Sequence, residues 1–254
     1  VRAWGLRVTR DPNRERLIRV AERLGELLPK VAFVGGSVTG LLVPNIDIRP
    51  TDDVDLIAPG ESPTDYELDV ARPLRELGWR EDASDRAPRC RWVHPDAGLA
   101  DVMTPVDAGF GFSNRWYPRA LATATSFELK PGLLIRVLTV PYFLATKTEA
   151  FLGRGGGDFE ASHDIEDIVT VVAATDDVVE QVARADADLR AFLSGTLAMW
   201  AQTNGELPMP IASGVGPPGP LVRHTLGHLP QANGRRELAT VVLHRFRSMA
   251  LKQK

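Results

Sequence analysis

The chain has 254 residues, 44% hydrophobic and 25% charged, with 30 Lys+Arg against 33 Asp+Glu and a formal net charge of −3. These proportions belong to an ordinary globular protein and exclude a disordered or fibrous chain. The single cysteine, Cys90, excludes an intramolecular disulfide. No apolar run reaches the roughly 18 residues of a membrane-spanning helix; the nearest, LLIRVLTVPYFLA, contains Arg136 and Pro141. The opening VRAWGLRVTRDPNRER has no apolar core and no small-residue cleavage site, so the expectation is a cytoplasmic protein with no membrane partner.

Taken in chain order, NRERLIRVAERLGELL at 13–28 repeats its apolar residues near a 3.6 period and predicts an amphipathic helix. VAFVG at 31–35 predicts a strand, followed by a glycine turn and the short apolar segment VTGLLV. DVDLIA at 53–58 alternates as a strand does. Residues 65–77 read as a helix with Pro73 near the middle and Gly78 at its C-terminal end. Short β-like runs follow at 78–80, 89–93 and 99–103, then the aromatic loop GFGFSNRWYP, then a β-pair at 125–129 and 133–139.

Beyond Pro141 the pattern becomes helical, in PYFLATKTEAFL, in HDIEDIVTVVAA and from Asp176 to about Trp200. ELPMPIASGVGPPGP at 206–220 has the composition of a linker or surface loop. Residues 221–254 carry Arg223, Arg235, Arg236, Arg245, Arg247, Lys252 and Lys254 against Glu237, a local +6 that leaves −9 on the remainder. Leu238, Val241, Val242, Phe246 and Met249 recur between these charges at helical spacing, so a solvated amphipathic helix competes with a polyanion-binding tail. The expected fold class is α/β (α+β). A mixed β-sheet flanked by helices occupies 1–140 and a mainly helical part 141–254, with a soft boundary between them.

The segment FVGGSVTGLLVPNIDIRPTDDVDLIA carries the chemistry. Residues two apart on a strand share a face, so Asp53 and Asp55 present their carboxylates together. Like charges this close need a cation or strong donors, which suggests Mg²⁺. Gly35, Gly36 and Ser37 follow a strand and precede a short helix, so their backbone N–H groups can approach phosphate oxygens. The alternative is a plain tight turn. Neither a P-loop nor a G-x-G-x-x-G fingerprint is present. Asp101 sits among Leu99, Val102 and Met103, where an acid needs partners. If its strand neighbours that of Asp53 and Asp55, three carboxylates converge in the geometry of in-line phosphoryl transfer.

The series VGGSVTGLL, RPTDDVDLI and LADVMTP resembles the nucleotidyltransferase superfamily that includes DNA polymerase beta. The later run ATKTEAFLGRGGGDFEASHDIEDIVTVV is similar to the AbiEii/AbiGii group, the nucleotidyltransferase toxins of type IV toxin–antitoxin systems. The resemblance covers roughly 15–175, with 15 residues between Ser37 and Asp53, a slightly longer interval than the family's. It implies a nucleotidyltransferase fold in which Asp53, Asp55 and Asp101 hold two Mg²⁺ ions, with Mn²⁺ an alternative. It also implies that Gly35, Gly36 and Ser37 contact the phosphates of an NTP substrate. Lys147, Arg154, Asp158 and the pair Asp164 and Asp167 match the group's Lys and D-x-x-D positions, which implies that Lys147 places a point charge on the triphosphate and that Asp164 and Asp167 bind the nucleotide, the acceptor or Arg154.

Each assignment has a structural counterpart. Lys147 can be a snorkelling lysine in an apolar helix. Asp164 can serve the helix dipole beneath a Ser162 cap, and it shares a face with Asp167 while Ile165, Ile168, Val169 and Val172 form the buried one. Arg115 can stack a base or anchor its loop. The activity implied is transfer of NMP to an acceptor hydroxyl, with tRNA as a candidate acceptor and a cognate antitoxin as a candidate partner. A small-molecule or protein acceptor, or a non-catalytic nucleotide-binding module, is the alternative.

Overall fold

The computed structural model describes residues 11–44, 48–154, 159, 161–205 and 232–251, with the side chains of 202–205, 232–240 and 250 left aside. Asp158, the 206–220 stretch, and Arg223, Lys252 and Lys254 of the basic tail lie outside the described residues. The chain divides into two compact units, Val1–Thr139 and Val140–Lys254.

The first unit is a seven-stranded mixed sheet flanked by helices. Its strands are β1 (Ala32–Val34), β2 (Asp53–Ile57), β3 (Arg80–Glu81), β4 (Arg91–His94), β5 (Gly98–Met103), β6 (Thr125–Lys130) and β7 (Leu133–Val137), in the order β3-β4-β5-β2-β1-β7-β6. β2 runs parallel to β5 and β1 parallel to β7, and the other pairs are antiparallel. The central strands have almost continuous apolar burial at Val54, Leu56, Ile57, Ala100 and Val102 because both sheet faces are covered. Trp79 and Trp92 fill the space beside them, and each indole N–H has an acceptor, Arg23 O and Tyr66 Oη respectively, both at 2.9 Å.

The helix expected over 13–28 is interrupted. α1 spans Arg14–Glu22, and Gly25, at φ +49°, opens a separate 3₁₀ turn over Gly25–Leu27. The left-handed backbone of Gly25 ends the α-helix, while Leu24 and Leu27 stay buried on the same side. After β1 comes a 3₁₀ turn at Gly36–Val38 and the single turn α2 (Thr39–Leu42). The helix around Pro73 is built in pieces: α3 (Pro63–Tyr66), a π-helical turn over Glu67–Ala71, and α4 (Arg72–Glu76). Ser62 Oγ caps α3 by accepting from Asp65 N at 3.1 Å. The π turn lies directly before Pro73, where the proline ring and the missing N–H interrupt the regular helical ladder. Gly78, at φ +90°, closes the segment. The aromatic loop leads into α5 (Tyr117–Thr123).

The second unit contains α6 (Val140–Gly153), α7 (His163–Ala174), α8 (Val178–Arg184), α9 (Ala187–Gly205) and α10 (Ala232–Leu251). Phe143, Leu144, Ile165, Val172, Leu193 and Phe246 form its core. Phe151, Phe159 and Trp200 pack as a ring triad with centroids 4.9–5.4 Å apart. Of the basic tail, Arg245 turns inward and donates to the carbonyls of Val172 (2.5 Å), Ala173 (3.0 Å) and Thr175 (2.9 Å). One guanidinium thus satisfies acceptors that the C-terminal end of α7 leaves unpaired. Among the described residues no helix is long and apolar enough to cross a membrane.

Candidate active site

The site grows from strand register. β2 and β5 pair in parallel with Asp55 opposite Asp101, and β1 pairs with β2 with Val34 opposite Asp55. Register partners on adjacent strands, about 4.8 Å apart, point to the same face. Asp53, two residues from Asp55, shares that face. The three predicted aspartates are therefore brought together, two from one strand and one from its neighbour.

Gly35 closes the site from the end of β1. Its backbone sits at φ +69°, ψ −166°, a region essentially reserved for glycine. A Cβ at this position would lie 1.8 Å from Asp55 Oδ2 and 2.6 Å from Asp55 Cγ. The Asp55 carboxylate is thus laid directly against the backbone at Gly35. Gly36 and Ser37 begin the 3₁₀ turn, both buried, and Ser37 Oγ donates to Val34 O at 3.4 Å. The helical segment behind this turn is short, as the sequence predicts, a 3₁₀ turn followed by the single turn α2, so its dipole is weak.

Arg91 joins the site although no sequence motif marks it. It stands opposite Asp101 on the antiparallel neighbour β4 and grips it in a fork, Nε to Oδ1 at 2.7 Å and Nη2 to Oδ2 at 2.8 Å. The same Nη2 donates to Asp53 Oδ2 at 2.5 Å. A guanidinium is suited to this because its planar fork matches a carboxylate edge. The signal was available: an acid in the apolar run LADVM demands a partner, and Arg91 alternates with buried Cys90 and Trp92 on the next strand. Burial pushes the Asp101 carboxyl above its usual range, against the lowering effect of Arg91, while the pairing raises Arg91. Among the described residues no group of three or more His, Cys, Asp or Glu side chains stands as a metal cage, and Arg91 lies between the carboxylates instead.

Cys90, 2% exposed, borders this cluster. Burial first, then the charges of Asp101 and Asp55, push its thiol up to about 12. A thiol so buried and protonated is a poor nucleophile. The folded protein is expected to resist a disulfide-exchange reagent at pH 8 and to release one reactive thiol on denaturation. Prompt labelling of the folded protein would contradict the packing of β4.

Arg115 is exposed in the loop before α5, its guanidinium carbon 5.0 Å from the centre of the Trp116 ring. His94 is buried, and its Nδ1 accepts from Asp96 N at 3.1 Å, a structural role.

The remaining predicted residues gather in the second unit. Lys147 Nζ lies 3.1 Å from Asp164 Oδ1 and 2.7 Å from Asp167 Oδ2, and Arg154 Nη1 lies 3.3 Å from Asp164 Oδ2. The side chains of Lys147, Asp164 and Asp167 are 11%, 7% and 5% exposed, against 76% for Arg154. This corrects the expectation that the aspartates lie apart from the buried face of their helix. α7 is packed against both α6 and α10, so the face bearing the acids is inside too, where Lys147 reaches it. Ser162 does cap α7, accepting from Ile165 N at 3.4 Å.

No protein-family model matches this chain, and no curated protein matches it.

Proposed function

We propose that the chain is a nucleotidyltransferase of the fold its motifs resemble, moving a nucleoside monophosphate from an NTP to an acceptor hydroxyl. One observation carries the reading: Asp55 and Asp101 are register partners, Asp53 shares their face, and Gly35 is packed on Asp55. Carboxylates crowded in this way call for a cation. The donors are hard oxygens throughout, the set that Mg²⁺ or Mn²⁺ takes, and the Arg91 guanidinium already stands as a cation between two of them. The residues therefore fit a divalent ion.

Such an ion, when bound, supplies charge neutralisation at the triphosphate. Asp53, Asp55 and Asp101 would hold it. Gly35 and Gly36, lacking side chains, would let phosphate oxygens reach the backbone. In the reaction the acceptor oxygen bonds to the α-phosphorus and the bond to the bridging oxygen of the β-phosphate breaks. Pyrophosphate leaves, and the hydroxyl proton passes to solvent. Placement and electrostatics supply most of the rate. The toxin role, a tRNA acceptor and a cognate antitoxin extend this reading and rest on the similarity of 145–172 alone.

The test is incubation with Mg²⁺, each α-³²P-labelled NTP and total RNA or a protein lysate, with products resolved on denaturing gels. The expected result is label in an RNA band, lost in Asp53→Ala/Asp55→Ala. Label in protein would change the acceptor, and label that survives the double substitution would overturn the reading. A second reading, a non-catalytic nucleotide-binding module, is favoured by the grip of Arg91 on Asp101 and Asp53, which neutralises acids that catalysis needs. It predicts Asp-dependent NTP binding with no label transferred.

A further inference from the structure

Resting on that reading, we propose that Arg91 is a resident counter-cation that holds the site closed to metal and must withdraw for a divalent ion to enter. Its guanidinium uses both oxygens of Asp101 and one of Asp53, all on the face where Asp55 stands. A divalent ion coordinated by these acids competes for the same lone pairs. It also meets the positive charge of Arg91 at contact range, so the guanidinium and the ion exclude one another.

The rest of the site is built to stay in place during the exchange. Asp55 is fixed against the Gly35 backbone, and Asp101 sits in the middle of a fully paired strand. Arg91 is the adjustable partner: its long side chain extends from β4, the strand next to the short outermost strand β3. Its side chain is 21% exposed, leaving it a path to solvent. Apo protein is thereby spared the repulsion of bare carboxylates, and metal affinity is set below what three unmasked aspartates would give.

Mn²⁺ binding to the full chain, followed by electron paramagnetic resonance of the free ion, tests this with thermal melting as a second readout. Arg91→Gln is expected to bind Mn²⁺ at least about tenfold more tightly than the parent chain, to melt lower without metal, and to gain more from Mn²⁺. Arg91→Lys keeps a charge without the fork and guards against simple unfolding. It is expected to show a smaller gain in affinity. Both gains should disappear when Asp53→Asn is added. Parent binding that depends on Asp53 but that neither Arg91 variant exceeds would overturn the proposal and leave the catalytic reading standing. No Mn²⁺ binding in any of these proteins would overturn both.

Discussion

Lys147→Met is expected to destabilise the C-terminal unit by about 3–5 kcal/mol, the usual cost of removing one partner from a buried ion pair. The ammonium of Lys147 lies 3.1 Å and 2.7 Å from two carboxylates that are 7% and 5% exposed, so its loss leaves charge without water. Arg154 still faces Asp164, but from a side chain 76% exposed, and solvent screening makes it a weak substitute. Set against total stabilities of about 5–15 kcal/mol, this is a large fraction. Removing the charges together reverses the effect: Lys147→Met/Asp164→Leu/Asp167→Leu should recover most of the loss, because apolar replacements of buried ion clusters are often neutral or better. Urea unfolding followed by far-UV circular dichroism measures both. An unchanged midpoint for Lys147→Met would show that its ammonium is not committed to the two aspartates.

Gly35→Ala is expected to be the most damaging single-atom change in the first unit. The new Cβ would sit 1.8 Å from Asp55 Oδ2, so Asp55 or the turn must move by more than an ångström. A displacement of about 1 Å at a reacting group costs on the order of a hundredfold in rate. The strained backbone at φ +69° adds a stability loss of about 1–3 kcal/mol. Gly132→Ala separates the two effects. Gly132 has φ +80°, and a Cβ there would meet nothing within 4 Å, so its replacement strains the backbone without touching an acid. It is expected to lower the melting temperature and leave NTP turnover unchanged. Equal turnover losses for the two alanines would remove Gly35 from the site.

The carboxylate site was legible because strand periodicity is short-ranged. Asp53 and Asp55 share a face whatever the sheet order, and only the neighbour of β2 had to be learned from the fold. Arg91 was hidden for the opposite reason: its partner is ten residues away across a β4–β5 hairpin whose register the sequence leaves open. The break at Gly25 is invisible in the pattern because the apolar period runs through it, with Leu24 and Leu27 buried on either side of the left-handed residue. For Asp164 and Asp167 the contrast with apolar neighbours points outward, a rule that holds for a helix with one covered face and fails for α7, which has two. Arg245 looked like a surface charge, and its role at the end of α7 depends on packing between helices distant in sequence.

Pyrophosphate release from each NTP, with Mg²⁺ and total RNA present, tests the central claim most directly when the parent chain is compared with Asp53→Asn/Asp55→Asn. Pyrophosphate in step with labelled acceptor is expected from the parent. The double variant is expected to lose about a thousandfold in rate, equivalent to about 4 kcal/mol of transition-state stabilisation. Release of orthophosphate in place of pyrophosphate, or a rate unchanged by the two substitutions, would contradict a nucleotidyltransferase built on these aspartates.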